Sequence, residues 1–310
     1  MLEVIDLKKQ FKHTKAVDGV NLFIEQGEIV GLLGPNGAGK STTISIMSSL
    51  TKPSDGDVRF YNESIIQRPQ QLREQLGVVP QEIALYLNLT ARENLLFFGK
   101  VYRIDKKQLE KKIDEVLEII GLVEKQHELV KTFSGGMKRR LNIGVALLHQ
   151  PSLVFMDEPT VGIDPQSRNY ILDTVKRLNK ESNTTILYTS HYMEEVEYLC
   201  DRIYIMDQGH IIAAGSKEEI KNILSAEQTF VVETAADHDD FIEKLEANPS
   251  VRQLKVQETT VTILIPNEVE FFQTIIQLAQ QTGTELKSVQ VQKPSLEDVF
   301  LHLTGRALRD

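Results

Sequence analysis

One run, Gly34-Pro35-Asn36-Gly37-Ala38-Gly39-Lys40-Ser41-Thr42, constrains this chain more than any other feature. It fits the pattern G-x-x-x-x-G-K-[S/T]. It follows Ile29-Val30-Gly31-Leu32-Leu33, an apolar stretch too short for a helix and bounded by glycine, which reads as a buried strand. The residues from Thr43 to Leu50 read as the helix that follows. Glycines let the backbone curl until several N–H groups converge on one point, and the start of the helix adds the positive end of its dipole. The spacing therefore predicts a cradle for the phosphates of a nucleotide, with Lys40 reaching the β- and γ-phosphates and the Ser41 hydroxyl binding Mg²⁺.

A second acidic element lies far downstream. Leu153-Val154-Phe155-Met156 is a buried-strand pattern ending in Asp157-Glu158-Pro159. A carboxylate at a strand end beside a phosphate loop is where a magnesium ligand belongs, and Asp157 is the candidate. Glu158 is then placed to orient or deprotonate an attacking water. The alternative is a surface pair of acids capping a strand. The apolar strand before it and the proline after it favour the catalytic reading.

Between these elements stands Phe133-Ser134-Gly135-Gly136-Met137-Lys138-Arg139-Arg140, opening a helix on which Leu141, Val145 and Leu148 recur at helical spacing. Ser134 is a natural N-cap, and Gly135 and Gly136 expose backbone N–H groups at a helix start, a second anion-binding turn in one chain. Here the chain resembles the ATP-binding-cassette (ABC) ATPases, from its start to about residue 220. It departs from their usual signature at Phe133, where leucine is common, and at Met137, where glutamine is. The resemblance implies roles for further residues. Gln81, in Gly77-Val78-Val79-Pro80-Gln81, matches the Q-loop glutamine that touches Mg²⁺ and water and senses the membrane partner. Asp164, in Val161-Gly162-Ile163-Asp164, matches the D-loop aspartate at the dimer interface. His191, in Thr189-Ser190-His191, matches the switch histidine on the γ-phosphate, and Phe11 stands where an aromatic stacks on adenine. Taken singly, His191 would read as a structural histidine, Gln81 as a loop residue and Phe11 as core; their order along the chain is what carries the resemblance. It further implies two copies packed head to tail, each ATP held between Lys40 of one copy and Ser134, Gly135 and Gly136 of the other. Integral-membrane permease subunits are the other expected partners. After Gln81, the residues Ile83, Leu85, Tyr86, Leu87 and Leu89, followed by Leu95, Leu96, Phe97 and Phe98 on a helix, mix core positions with a groove for a cytoplasmic helix of a permease.

Composition excludes several other classes. A net charge of -9 argues against a nucleic-acid scaffold. The single cysteine, Cys200, has no His or Cys neighbour at ligand spacing and reads as a packed thiol. Met1-Leu2-Glu3-Val4-Ile5-Asp6 carries two acids and no apolar run, unlike a signal peptide. No uncharged apolar stretch reaches the roughly 18 residues of a membrane span; the resemblance implies a place at the cytoplasmic face of the membrane, held there by permease partners.

From about Glu227 the pattern changes to strand-helix-strand twice over: Phe230 to Glu233, Asp239 to Ala247, Val251 to Val256, then Thr260 to Ile265, Val269 to Gln281 and Leu286 to Val291. The expected fold is an α/β P-loop ABC ATPase domain with a helical subdomain over residues 1–224. A small α+β, ferredoxin-like domain over 225–310 serves regulation or dimerisation. The ending, Pro294-Ser295-Leu296-Glu297-Asp298-Val299-Phe300-Leu301-His302-Leu303-Thr304-Gly305, resembles that of ATPases from two-component ABC-2 type exporters of drugs and antibiotics. With Phe133 and Met137 it favours export over import. The resulting expectation is the ATP-hydrolysing subunit of an antibiotic or amphiphile exporter; the alternatives are lipid, ion or nutrient transport, or a non-transport ABC ATPase.

Overall fold

The computed structural model describes residues 1–12, 14–224, 227–235, 239–267, 269–292 and 295–305. Lys293 and Pro294, at the head of the terminal segment, lie outside them. The chain forms two compact units, Met1–Lys217 and Glu218–Gly305.

The first unit begins with β1 (Leu2–Phe11), β2 (Thr14–Ile24) and β3 (Ile29–Leu33), then α1 (Lys40–Met47), β4 (Asp55–Phe60), β5 (Glu63–Ser64), α2 (Pro69–Gln75) and β6 (Leu76–Val79). A helical stretch follows, α3 (Ala91–Val101), α4 (Lys106–Ile119) and α5 (Gly135–Leu147). The chain then returns to β7 (Leu153–Asp157), α6 (Pro165–Ser182), β8 (Thr185–Thr189), α7 (Met193–Leu199), β9 (Arg202–Asp207) and β10 (His210–Ser216), and α8 (Lys217–Lys221) begins at the last residue of this unit and continues into the second. Two sheets result: an antiparallel one ordered β2-β1-β4-β5, and a second ordered β10-β9-β3-β8-β7-β6, parallel except for β10. Every residue of β3 and β8 is buried, as expected of parallel strands covered on both faces.

β1 and β2 run past the short strands expected at Val4 to Leu7 and Val17 to Ile24, because register shifts after Val4, Leu7 and Lys9 break the alternation while pairing continues to Phe11 and Thr14. The helix after the glycine loop starts at Lys40, inside the motif, and ends at Met47, so the expected span of Thr43 to Leu50 is displaced toward the N-terminus. Ser49 closes it with a positive φ of 61°. Cys200 is fully buried, its sulfur 3.1 Å from where a Cβ on Gly31 would lie. Burial pushes its thiol well above the ordinary value, which suits a packed residue and not a nucleophile.

The helical stretch is set by its caps. Thr90 and Glu93 form a capping box on α3, Asp105 caps α4, and the Ser134 side chain accepts from Met137 N at 3.2 Å at the head of α5. Phe133, just before that cap, is buried and anchors the turn.

In the second unit, β11 (Glu227–Thr234), α9 (Asp239–Glu246), β12 (Gln253–Gln257), β13 (Thr260–Pro266), α10 (Phe272–Thr282) and β14 (Leu286–Gln292) precede α11 (Leu296–Thr304). The sheet order is β12-β13-β11-β14 and all pairs are antiparallel, the split βαβ arrangement of the expected ferredoxin-like fold. β12 begins two residues later than Val251, whose N–H instead donates to Asn248 O at 3.0 Å in a turn. Likewise Val269 N donates to Pro266 O at 3.1 Å, so α10 begins only at Phe272. One face of the sheet packs Phe230, Val232, Val261, Ile263 and Ile265 against Phe241 and Ile275 of the helices. Removing the ring in Phe241→Ala is expected to cost this unit about 3–5 kcal/mol. Denaturant unfolding followed by circular dichroism checks this, and an unmoved midpoint would contradict the packing.

Candidate active site

The order β3-β8-β7-β6 decides what meets at the carboxyl edge of the parallel sheet. The glycine loop leaves β3, His191 follows β8, Asp157 and Glu158 end β7, and Gln81 follows β6. Four segments distant in sequence therefore line up side by side.

The loop itself is fixed by steric exclusion. A Cβ at Gly34 would lie 2.3 Å from Met206 O, and one at Gly39 would lie 2.3 Å from Ala16 O. Gly39 also has a φ of 107°, so a side chain there meets both a clash and a strained backbone. Gly37, also at positive φ, faces open space. Pro35 and Ala38 are buried; Asn36, Gly37 and Ser41 are exposed, and Thr42 is half-buried. Lys40 is buried, and its Nζ donates to Gly34 O at 2.6 Å and to Pro35 O at 3.1 Å. Burial lowers its pKa, while the nearby charges of Glu158 and Asp157 oppose that shift.

Glu158 is the centre of the convergence. It is buried, and at a φ of 48° it holds a left-handed conformation uncommon for its type. Its N–H donates to Thr189 Oγ1 at 2.9 Å, and the same hydroxyl donates to Asp157 Oδ1 at 2.8 Å. Gln81 Nε2 donates to Glu158 Oε2 at 2.8 Å, and His191 Nε2 meets Glu158 Oε1. The His191 Nδ1 is buried and makes no hydrogen bond. Desolvation raises the Glu158 pKa; the His191 interaction opposes this most, and the Asp157 charge adds to it. Sequence reasoning did not single out two residues that support this group. Arg139 Nη1 donates to Pro80 O at 3.0 Å and Gln81 O at 2.7 Å, tying the start of α5 to the Gln81 segment, and the Thr189 hydroxyl links the Glu158 backbone N–H to the Asp157 carboxylate. The arginine lay in the quoted signature run, but no spacing rule says which of two adjacent arginines turns inward.

Ser134, Gly135, Gly136 and Asp164 form a separate group. Asp164 caps α6, accepting from Ser167 N at 2.9 Å, and that bond holds its carboxyl below the ordinary range. A Cβ at Gly136 would lie 2.1 Å from Ser167 Oγ, so the second glycine permits close packing on α6. Gly135 has nothing nearer than 3.8 Å to such a Cβ and presents an open backbone. Phe11 stands half-exposed at the end of β1, with Lys9 Nζ 5.1 Å from its ring centroid.

The oxygen donors near the loop, the Ser41 hydroxyl, an Asp157 carboxylate oxygen and the Gln81 amide oxygen, are hard ligands of the kind Mg²⁺ takes. Among the described residues no group of three or more His, Cys, Asp or Glu side chains could hold a metal unaided. This donor set therefore fits an ion that arrives with phosphate oxygens of its own.

Residues 17–161 match the family model described as ABC transporter, and residues 215–304 match that described as ATP-binding protein DrrA1-3-like, C-terminal domain. The linearmycin resistance ATP-binding protein of Bacillus subtilis (strain 168) is 46% identical over 100% of both chains. A daunorubicin resistance ATP-binding protein of Streptomyces coeruleorubidus is 33% identical over 96% of this chain and 94% of its own. Among solved structures, a dimeric ATP-binding cassette in a post-hydrolysis state bound to ADP and Pi superposes with a TM-score of 0.63 at 28% identity, covering 70% of this chain and 98% of that one. Likeness of that extent, end to end with the first relative, leaves one conclusion: the chain belongs to the ATP-binding proteins of the ABC transporter family.

Proposed function

We propose that the chain is the ATP-hydrolysing subunit of an exporter that removes an antibiotic or another amphiphilic compound. The convergence of Gln81, Glu158 and His191 beside the phosphate loop carries the hydrolytic part of the reading. The end-to-end likeness to a linearmycin resistance protein supports the export part.

The geometry suggests how the residues work. Backbone N–H groups of Gly34 to Gly39 and the start of α1 receive the phosphates. Lys40 leaves the carbonyls of Gly34 and Pro35 for the β- and γ-phosphate oxygens, exchanging two neutral acceptors for charged ones. His191 Nε2 turns from Glu158 to the γ-phosphate, which frees the Glu158 carboxylate to take a proton from the attacking water. Ser41, Asp157 and Gln81 would hold Mg²⁺, whose charge offsets that developing on the phosphate oxygens. Phe11 stacks on adenine. Ser134 and the open backbone at Gly135 meet the γ-phosphate bound to a second copy, with Asp164 at the same interface, so ATP joins the pair and its hydrolysis releases it.

The membrane-spanning partner docks beside Gln81. No described helix is long and apolar enough to cross a membrane, yet Tyr86 is 49% exposed, Leu87 45% and Phe97 39%. Tyr86 and Phe97 meet edge to face at 4.6 Å, a preformed apolar surface suited to a cytoplasmic helix of the permease. The resulting location is the cytoplasmic face of the membrane. The second unit regulates the cassette or strengthens its pairing.

Glu158→Gln is expected to keep ATP binding, lose about 100-fold or more of its hydrolysis, and elute as a dimer with Mg-ATP in size-exclusion chromatography. Hydrolysis at the wild-type rate would remove Glu158 from the role of base. Because burial raises the Glu158 pKa in the free protein, the carboxylate protonates, and kcat/KM for ATP falls, at a pH above the ordinary value of 4.5. A rate–pH profile flat down to that value would contradict this. Export is tested with antibiotic and detergent susceptibility in a deletion strain. Hypersensitivity to one amphiphilic class is expected to be rescued by wild type, but not by Glu158→Gln or Leu87→Asp. No change across a broad panel would end the resistance reading and leave the ATPase intact.

A further inference from the structure

A buried carboxylate behind the site has no place in the mechanism above. Glu195, on α7, is fully buried, and its Oε2 accepts three hydroxyls: Thr160 Oγ1 at 2.8 Å, Tyr188 OH at 2.8 Å and Ser190 Oγ at 2.5 Å. Its Oε1 accepts from Arg168 Nε at 2.6 Å. Buried charges are rare without such partners, and four donors on one carboxylate make a rigid node.

The positions of those donors matter more than their number. Thr160 comes two residues after Glu158, and Ser190 comes just before His191. Ser190 Oγ also accepts from Tyr192 N at 3.0 Å, so one hydroxyl fixes the backbone on both sides of the histidine. Arg168 lies in the first turn of α6, which Asp164 caps, and its guanidinium lies 4.2 Å from the ring centroid of Tyr192. Glu195 thus ties together, from behind, the strand ends that bear Glu158 and His191 and the helix that begins at Asp164.

We infer that Glu195 is a positioning residue for ATP hydrolysis, setting the distance between His191 and Glu158 through Thr160 and Ser190 and linking both to the Asp164 segment through Arg168. This rests on the roles given above to His191 and Glu158. A polar node suits the task because hydroxyls and a guanidinium fix direction as well as separation, which apolar packing does not.

The test is steady-state hydrolysis of Mg-ATP by the full chain, with the melting temperature recorded with and without nucleotide. Glu195→Gln, which keeps the shape and removes the charge, is expected to lower kcat about 10- to 100-fold. KM for ATP should stay within about twofold and the stabilisation by ATP should persist, because the phosphate loop is untouched. Glu195→Asp, which retains the charge, should recover part of the rate. Wild-type kcat in Glu195→Gln, or a loss of kcat matched by loss of ATP binding, overturns the inference. Should Glu195→Gln not fold, Thr160→Val decides: it removes one hydroxyl and little volume, and a several-fold fall in kcat at unchanged melting temperature supports the node, whereas a wild-type rate overturns it. His191→Ala separates the two ideas. If it hydrolyses at the wild-type rate, the role given to His191 is wrong. If it is impaired while Glu195→Gln is not, only the positioning role of Glu195 fails.

Discussion

The absence of room for a Cβ at Gly34 and Gly39 underlies everything else in the first unit. Met206 O of β9 lies against one and Ala16 O of β2 against the other. The phosphate loop is thus clamped between the parallel sheet and the antiparallel one, and its N–H groups can converge only while both sheets hold their places. The buried β3 strand fixes the start of the loop, and α1 takes over directly at Lys40. A loop so held needs little rearrangement to receive an anion, which is what preorganisation means in physical terms.

Around this fixed loop the site is built from opposed charges. Asp157 and Glu158 are adjacent acids, and burial disfavours ionisation of Glu158. His191, Lys40 and Arg139 restrain that effect, each from a different element. The group is therefore balanced rather than saturated, and the several negative charges of a triphosphate disturb that balance. Thr189, whose hydroxyl takes the Glu158 backbone N–H and gives its own proton to the Asp157 carboxylate, ties the Asp157 side chain to the backbone that carries Glu158.

Much of this was legible in the sequence because the chemistry is local. The glycine loop, the Asp157-Glu158 pair at a strand end and the Ser134 cap each show themselves within a few residues, and their types alone suggest what they bind. Gln81 and His191 were readable only through family resemblance, since a lone glutamine or histidine has no spacing that marks it; the sheet order β3-β8-β7-β6 is what brings them to Glu158. What Arg139 and Glu195 do was not legible, because it depends on partners far along the chain, Gln81 for the arginine and Thr160 and Arg168 for the glutamate. Element boundaries failed where tertiary contacts override pattern, at the bulged β1–β2 pair, at the start of α1 inside the motif, and at Val251 and Val269, whose N–H groups are taken by turns.

The Lys40 ammonium, resting on the carbonyls of Gly34 and Pro35, changes what nucleotide affinity means in this protein. Binding is an exchange reaction: the cation is already solvated by its own loop, and a ligand must offer it better company than two peptide oxygens. Every ligand that draws the lysine away gives up the same two bonds, so all of them bind more weakly while their order still follows what each offers the ammonium. A triphosphate, rich in charge within the lysine's reach, gains most from the swap, and a shortened nucleotide gains least. The loop's grip on its own lysine thus sets a threshold that a ligand with few charged oxygens in reach clears least easily.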